Sequence, residues 1–236
     1  MTFRTPSGRY PMVWMYHSIN DYTEDPYQVT VRPDRFAAQL TWLRRRGLRG
    51  VSMRELVEDP RDAVGLTFDD GYADFAEVAV PILAAHGCTA TVFVLPGRLA
   101  GSNEWDADGP RKPLMTAAQI RAVAAAGMEV ASHGLRHRPM PELSAAELAE
   151  EVTGSRAAVA SLTGTPPAGF AYPYGRFDES TRRAVKAAGY RYACAVGHPP
   201  RPDDLALPRM FVGDRDTGPR LHAKRWRHAL RERRPS

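Results

Sequence analysis

The chain has 236 residues, 43% of them hydrophobic and 25% charged, which suits a folded domain with a sizeable core and excludes a disordered chain. No charge-free apolar run is long enough for a membrane helix, and the N-terminal apolar stretch, residues 11–16, is too short for a signal peptide and has no small-residue cleavage site after it; a cytoplasmic location is therefore expected unless the true start lies upstream. The net charge of +5 is concentrated at the end, where Lys224, Arg225, Arg227, Arg231, Arg233 and Arg234 face only Glu232, and the remainder is nearly neutral.

In chain order, short apolar runs alternate with amphipathic stretches. Residues 13–17 read as a buried strand, and 34–46 as a helix with Phe36, Leu40 and Leu43 on one face, closed by Gly47. A strand at 64–68 precedes a helix at 77–86 that Pro81 must start or kink. Residues 89–95 are a β-branched strand; Cys88 just before it and Cys194 later both lie in apolar runs, as reduced core cysteines would, and a bridge between them is left open. Thr116 caps an alanine-rich helix ending at Gly127, and 128–132 form the next strand. Ser144-Ala145-Ala146-Glu147 is a capping box opening a helix to about Leu162. A strand at 169–172, a helix at 179–188 and strands at 190–196 and 205–212 complete the series. Regular alternation of strand and helix predicts one α/β domain with a parallel sheet curled into a barrel. The expected organisation is a lead-in over 1–12, one α/β domain over 13–221 and a basic tail over 222–236. A frayed, solvated tail accounts for the last segment more simply than nucleic-acid binding, because Trp226 is its lone aromatic.

The residues that carry chemistry stand where the predicted strands end. Residues 64–68 run into Asp69-Asp70-Gly71, 128–132 into His133 with His137 four residues later, and 170–172 into Pro173-Tyr174-Gly175. Each is ordinary alone: an Asp-Asp-Gly turn, two surface histidines, a rigid Pro-Tyr-Gly corner. In a barrel of parallel strands all three ends meet on one face, and their conjunction is far more specific than any member. Two imidazoles four residues apart, beside a carboxylate, suit a metal ion. The long irregular segment 96–113 also follows a strand, so it lies over the same face, and its Trp105 is either a tucked anchor or a substrate-facing aromatic.

In their order, Thr67-Phe68-Asp69-Asp70-Gly71, Ser132-His133-Gly134-Leu135-Arg136-His137 and Phe170-Ala171-Tyr172-Pro173-Tyr174-Gly175 resemble the successive motifs of the polysaccharide deacetylases, the NodB-homology domain of carbohydrate esterase family four. Met15-Tyr16-His17-Ser18-Ile19 and Leu207-Pro208-Arg209 resemble one branch of that family, and the likeness runs from about Val13 to Val212. The resemblance implies a distorted (β/α) barrel and hydrolysis of an N-acetyl group on a sugar or glycan, releasing acetate and a free amine. It implies Asp70, His133 and His137 as ligands of a divalent metal ion, zinc by default with cobalt, nickel or iron also suited, Asp69 as general base, and Tyr174 with Pro173 at the substrate, the Tyr174 N–H facing the developing oxyanion. Two departures stand out. The arginine that many members carry in the third motif, paired with the base aspartate, is Ala171 here, so Arg209 is the expected partner of Asp69. The late motif that supplies a general acid is also missing, which leaves His17, at the end of the first strand, as a proton donor or as a structural histidine. Two other readings keep the scaffold and change the function: hydrolysis of another amide, such as a cyclic ureide or imide, and carbohydrate binding without catalysis.

Overall fold

The apolar runs become short, buried, parallel strands in a computed structural model of the protein, which describes residues 10–231. Residues 1–9 of the expected lead-in and 232–236 of the expected tail lie outside the described residues. The curled sheet uses β1 (Val13–Tyr16), β4 (Arg49–Val51), β5 (Ala63–Phe68), β6 (Thr91–Val94), β7 (Glu129–Ser132), β8 (Gly169–Ala171), β9 (Tyr192–Cys194) and β10 (Met210–Phe211). Their spatial order is β10-β1-β5-β6-β7-β8-β9, with β4 paired to the first half of β5. A small parallel pair, β2 (Ser18–Ile19) with β3 (Thr30–Val31), lies beside the end of β1. The segment between β9 and β10 bridges the two sheet edges: Leu207 and Arg209 pair with Cys194 and Gly197, and Met210 then pairs with Trp14. Residues 205–212 are therefore a short strand preceded by isolated bridges, because Pro208 cannot donate to a continuous ladder.

Side chains alternate across each strand. Trp14, Phe68, Val92, Val94 and Val130 face outward against α1 (Pro33–Arg44), α3 (Val80–Ala85), α4 (Ala117–Ala125) and α6 (Ser155–Thr163), forming the larger core. Val13, Phe93, Ala131, Ala171, Cys194 and Leu207 face inward. The interior is narrow, so the large inward rings are matched by glycine where they meet the next strand: a Cβ on Gly169 would come within 2.1 Å of the Tyr192 ring. A short helix absent from the sequence reading, α2 (Met53–Glu58), plugs the N-terminal mouth. Ser52 caps it in a capping box with Glu55, and its first turn donates to the strands beneath, Met53 N–H to Thr91 Oγ1 at 2.8 Å and Arg54 N–H to Glu129 Oε2 at 2.8 Å.

Three readings are corrected by the structure. The predicted helix at 77–86 starts as a π-helical turn, Phe75–Ala79, which passes into α3 at Val80, so the chain takes a wide turn just ahead of Pro81. The helix opened by Ser144 is three pieces, α5 (Ala145–Ala149), a π-helical turn Glu150–Gly154, and α6. Residues 222–231, expected as a frayed tail, complete α8 (Gly218–Arg231), pinned by buried Leu221 and by a 3.2 Å hydrogen bond between His228 Nε2 and the Tyr10 carbonyl. α7 (Glu179–Ala187) matches its expected bounds within a residue. Cys88 and Cys194 are both buried and free.

Candidate metal centre and active site

Because the sheet is parallel, the C-terminal ends of β1, β5, β7 and β8 open on one face and deliver His17, Asp69-Asp70, His133 and the Pro173–Gly175 turn there. Asp70 Oδ1 lies 3.3 Å from Nε2 of His133 and 3.3 Å from Nε2 of His137, and one ligand atom from each residue falls within 4.8 Å of the others. All three side chains are buried. The His133 Nδ1 sits 2.8 Å from the carbonyl of Ala171, which can only accept, so Nδ1 carries a proton and Nε2 is the atom turned toward Asp70. Asp70 Oδ1 and His137 Nδ1 are buried without a hydrogen-bond partner. With both Nε2 atoms unprotonated, as metal ligation requires, a carboxylate oxygen facing them is repelled unless a cation lies among them. One carboxylate and two imidazoles is a donor set suited to a divalent transition metal, with positions left open for other ligands. The residues fit a metal ion.

The electrostatics follow from this crowding. Burial alone would raise the Asp70 pKa, but His137 and the contacts with both imidazoles hold it well below the carboxylate range. Burial pulls both histidines down; for His133 the two aspartates outweigh it and the pKa rises, whereas for His137 burial prevails and the pKa falls. Backbone strain gathers at the same place. Asp70, His137 and Tyr174 adopt φ of 72°, 62° and 57°, left-handed conformations that cost non-glycine residues about 1–3 kcal/mol each and persist where the surroundings enforce them.

Beside this cluster, both oxygens of Asp69 face Arg209, with Nη1 to Oδ1 at 2.6 Å and Nη2 to Oδ2 at 2.7 Å. Arg209 is itself fixed by donating Nε–H to the Ala195 carbonyl at 3.0 Å and Nη1–H to Thr67 Oγ1 at 3.3 Å. The position left by Ala171 is thus served by an arginine that enters just ahead of β10. Burial would raise the Asp69 pKa, but the guanidinium outweighs it and holds the carboxyl below its usual value.

The remaining sequence candidates divide. Trp105 stacks on His137 with ring centroids 4.3 Å apart, and Tyr174 lies on the same imidazole at 4.4 Å. Tyr174 is 48% exposed, so a solvent-facing aromatic borders the cluster. Pro173, assigned with Tyr174 to substrate contact, is instead buried against the His133 loop, where a Cβ on Gly134 would meet its Cγ at 3.8 Å; its ring fixes the turn and is not offered to a ligand. His17 is half-buried at the end of β1, its Nδ1 without a partner and its ring 6.5 Å from that of Phe211.

Three features of the site had no signal in the sequence reading. Glu151, on the π-helical turn, accepts the N–H groups of Leu135 at 2.7 Å and Arg136 at 2.9 Å, holding the loop between the two histidines. Asp106, next to Trp105, accepts from Asn103 Nδ2 at 3.2 Å and from Tyr72 Oη at 3.4 Å. Burial, aided by the charge on Asp70, raises its pKa. Lys112 anchors the loop that carries Trp105 by donating to Thr30 and, at 3.0 Å, to Ser18, whose hydroxyl in turn donates to Asp74 at 2.6 Å. Burial pushes Asp74 up to about 6.

Comparison with known proteins agrees with this architecture. The family profile described as polysaccharide deacetylase matches residues 57–193, more than half of the chain, and the protein belongs to that family. YxkH of Bacillus subtilis strain 168, whose name assigns it provisionally to the polysaccharide deacetylases, is 27% identical over 186 residues, covering 76% of this chain and 62% of its own; the chain thus spans under two thirds of that relative. A poly-beta-1,6-N-acetyl-D-glucosamine N-deacetylase of Staphylococcus aureus is 22% identical over 203 residues, 78% of this chain and 68% of its own. Among solved structures, the Streptococcus pyogenes deacetylase PplD shares the fold with a TM-score of 0.74 at 22% identity, covering 96% of this chain and all of that one.

Proposed function

We propose that the protein is a metal-dependent hydrolase that removes the acetyl group from an N-acetylated sugar or glycan, giving acetate and a free amine. The observation that carries this reading is the pairing of two unlike carboxylates: Asp70 sits among imidazoles as a metal ligand would, while adjacent Asp69 is turned away onto Arg209 and kept ionised. Family membership and the named activity of the staphylococcal relative support the same reaction class.

Asp70, His133 and His137 would hold the ion, with zinc the first expectation for this donor set. A divalent cation bound there supplies Lewis acidity and brings the pKa of a water toward neutrality. Asp69 accepts the proton from the attacking water, and Arg209 keeps its carboxylate ionised and fixed in one rotamer, so no alignment is lost before reaction. The Tyr174 backbone N–H stabilises charge developing on the amide oxygen. His17, at the end of β1 with its Nδ1 unpartnered, returns a proton to the departing amine. Trp105 and Tyr174 flank His137 as an aromatic border on which a sugar ring can rest.

Metal content tests the ligand set directly. Asp70→Ala, His133→Ala and His137→Ala are each expected to lose metal on dialysis while keeping the unfolding midpoint near that of the parent, because the strands and not the loops hold the fold. Full metal occupancy in any two of the three would reject the assignment.

A further inference from the structure

Helix α8 is built the wrong way round for a helix that only covers a barrel. Its inward side is held by one buried apolar residue, Leu221, with His228 bonded to the Tyr10 carbonyl. Its larger apolar side chains point outward: Trp226 is 62% exposed and Leu230 40% exposed, four residues apart on one stripe with the small Ala223. A row of arginines lines one flank of the stripe and a single arginine the other. Arg220, Arg227 and Arg231 lie along one flank and Arg225 along the other, all exposed. The helix Gly218–Arg231 contains no aspartate or glutamate, and none of these four arginines has a carboxylate partner among the described residues.

We propose that α8 is an interfacial helix that docks the domain on an anionic membrane surface, with Trp226 and Leu230 entering the headgroup region and the flanking arginines meeting lipid phosphates. No helix of the described residues is long and apolar enough to cross a membrane, so the mode is one of lying on the surface. A narrow apolar stripe with low overall hydrophobicity flanked by arginine is the pattern of a helix lying in the plane of a bilayer, and Trp is favoured at that depth because its ring is apolar and its N–H polar. The charge complements an acidic leaflet, to which each arginine near the surface adds attraction. A protein partner fits less well, since two large apolar side chains on a convex helix fall far short of the core a stable interface needs. A nucleic acid would use the cations and leave the aliphatic Leu230 without a role.

Vesicle binding by the full chain tests the proposal, with intrinsic fluorescence as a second readout. Vesicles of phosphatidylcholine carrying about a third phosphatidylglycerol should bind the protein, blue-shift its emission and shield Trp226 from an aqueous quencher, and phosphatidylcholine alone should do so weakly. Trp226→Ser and Leu230→Ser should each lower the affinity about tenfold or more, and the Arg220→Glu, Arg227→Glu double variant should abolish binding at moderate salt. All of these positions are exposed, so the unfolding midpoints should match the parent's. Absence of binding to the anionic vesicles at low salt would overturn the proposal. So would binding that survives Trp226→Ser and Leu230→Ser unchanged, or duplex DNA competing the protein off vesicles with the same dependence on arginine, either of which would mark a generic polyanion surface.

Discussion

Asp69 is a buried carboxylate with both oxygens on one guanidinium, and its neighbour Asp70 is a buried carboxylate that faces two imidazoles instead. Adjacent side chains of one type are thereby given different tasks by their surroundings. Asp69→Asn is expected to keep the metal and to lose about 10²–10⁴-fold in turnover, the contribution of a positioned general base. Near-normal turnover at saturating metal would move that role elsewhere. Arg209→Met should leave metal affinity little changed, depress turnover, and shift the acidic limb of the pH–rate profile upward, because loss of the cation raises the Asp69 pKa. The sign for stability is definite as well. The folded-state pKa of Asp69 is depressed, so the pair stabilises the fold above the unfolded carboxyl value near ~3.9 and that stabilisation is lost as pH falls through the lower folded value. Removing one partner of such a buried pair costs about 3–5 kcal/mol, so thermal unfolding near neutral pH should show a marked drop in Arg209→Met and a smaller one in Arg209→Lys.

At the scale of elements, the loop between His133 and His137, the proposed metal ligands, depends on a helix that neither belongs to. Glu151 sits on the π-helical turn between α5 and α6, and the extra residue of that turn brings its carboxylate under the Leu135 and Arg136 amides. Glu151→Ala leaves both amides without an acceptor and frees the loop; metal affinity should fall about 10–100-fold, while turnover at saturating metal stays within a few-fold of the parent. Equal metal affinity in parent and variant, measured by competition with a chelator, would show that the loop holds itself. This element also marks how far the sequence could be read. The strand ends that carry Asp69, Asp70 and His133, with His137 four residues on, were legible, because short apolar runs stop there and the motifs keep their order. Arg209 was legible only through the family resemblance, which implies an arginine beside Asp69 where this chain has Ala171, and Arg209 opens the last apolar run. Glu151 was not, because a π-helical turn leaves the hydrophobic pattern intact while it rotates the following residues. Helix α2 escaped notice although Ser52 and Glu55 form a capping box, since six residues hold too few apolar positions to display a period. α8 reads as a frayed tail in sequence because its arginines mask the few contacts that seat it, buried Leu221 with the polar bonds of Lys224 and His228.

For the whole molecule, the parallel sheet is what turns dispersed motifs into one site. Every strand of the main sheet points the same way, and the interior is too narrow to admit anything but side chains, so reactive groups can gather only where the strands emerge. Among the described residues, α2 plugs one mouth and the Asp69–Arg209 pair lies near the other, where Trp105 and Tyr174 border the proposed active face. The central claim is that this face hydrolyses an N-acetyl amide and needs a divalent ion to do so. Its most direct test is acetate release, measured with the matching appearance of free amine, from oligomers of N-acetylglucosamine in β-1,4 and β-1,6 linkage. The protein would be used as purified, after chelation, and after reloading with zinc or cobalt. Acetate and amine in equal amounts, lost on chelation and regained on reloading, are the expected result. Acetate release at an undiminished rate from fully stripped protein, or none from any N-acetylated glycan by protein shown to hold its metal, would contradict it.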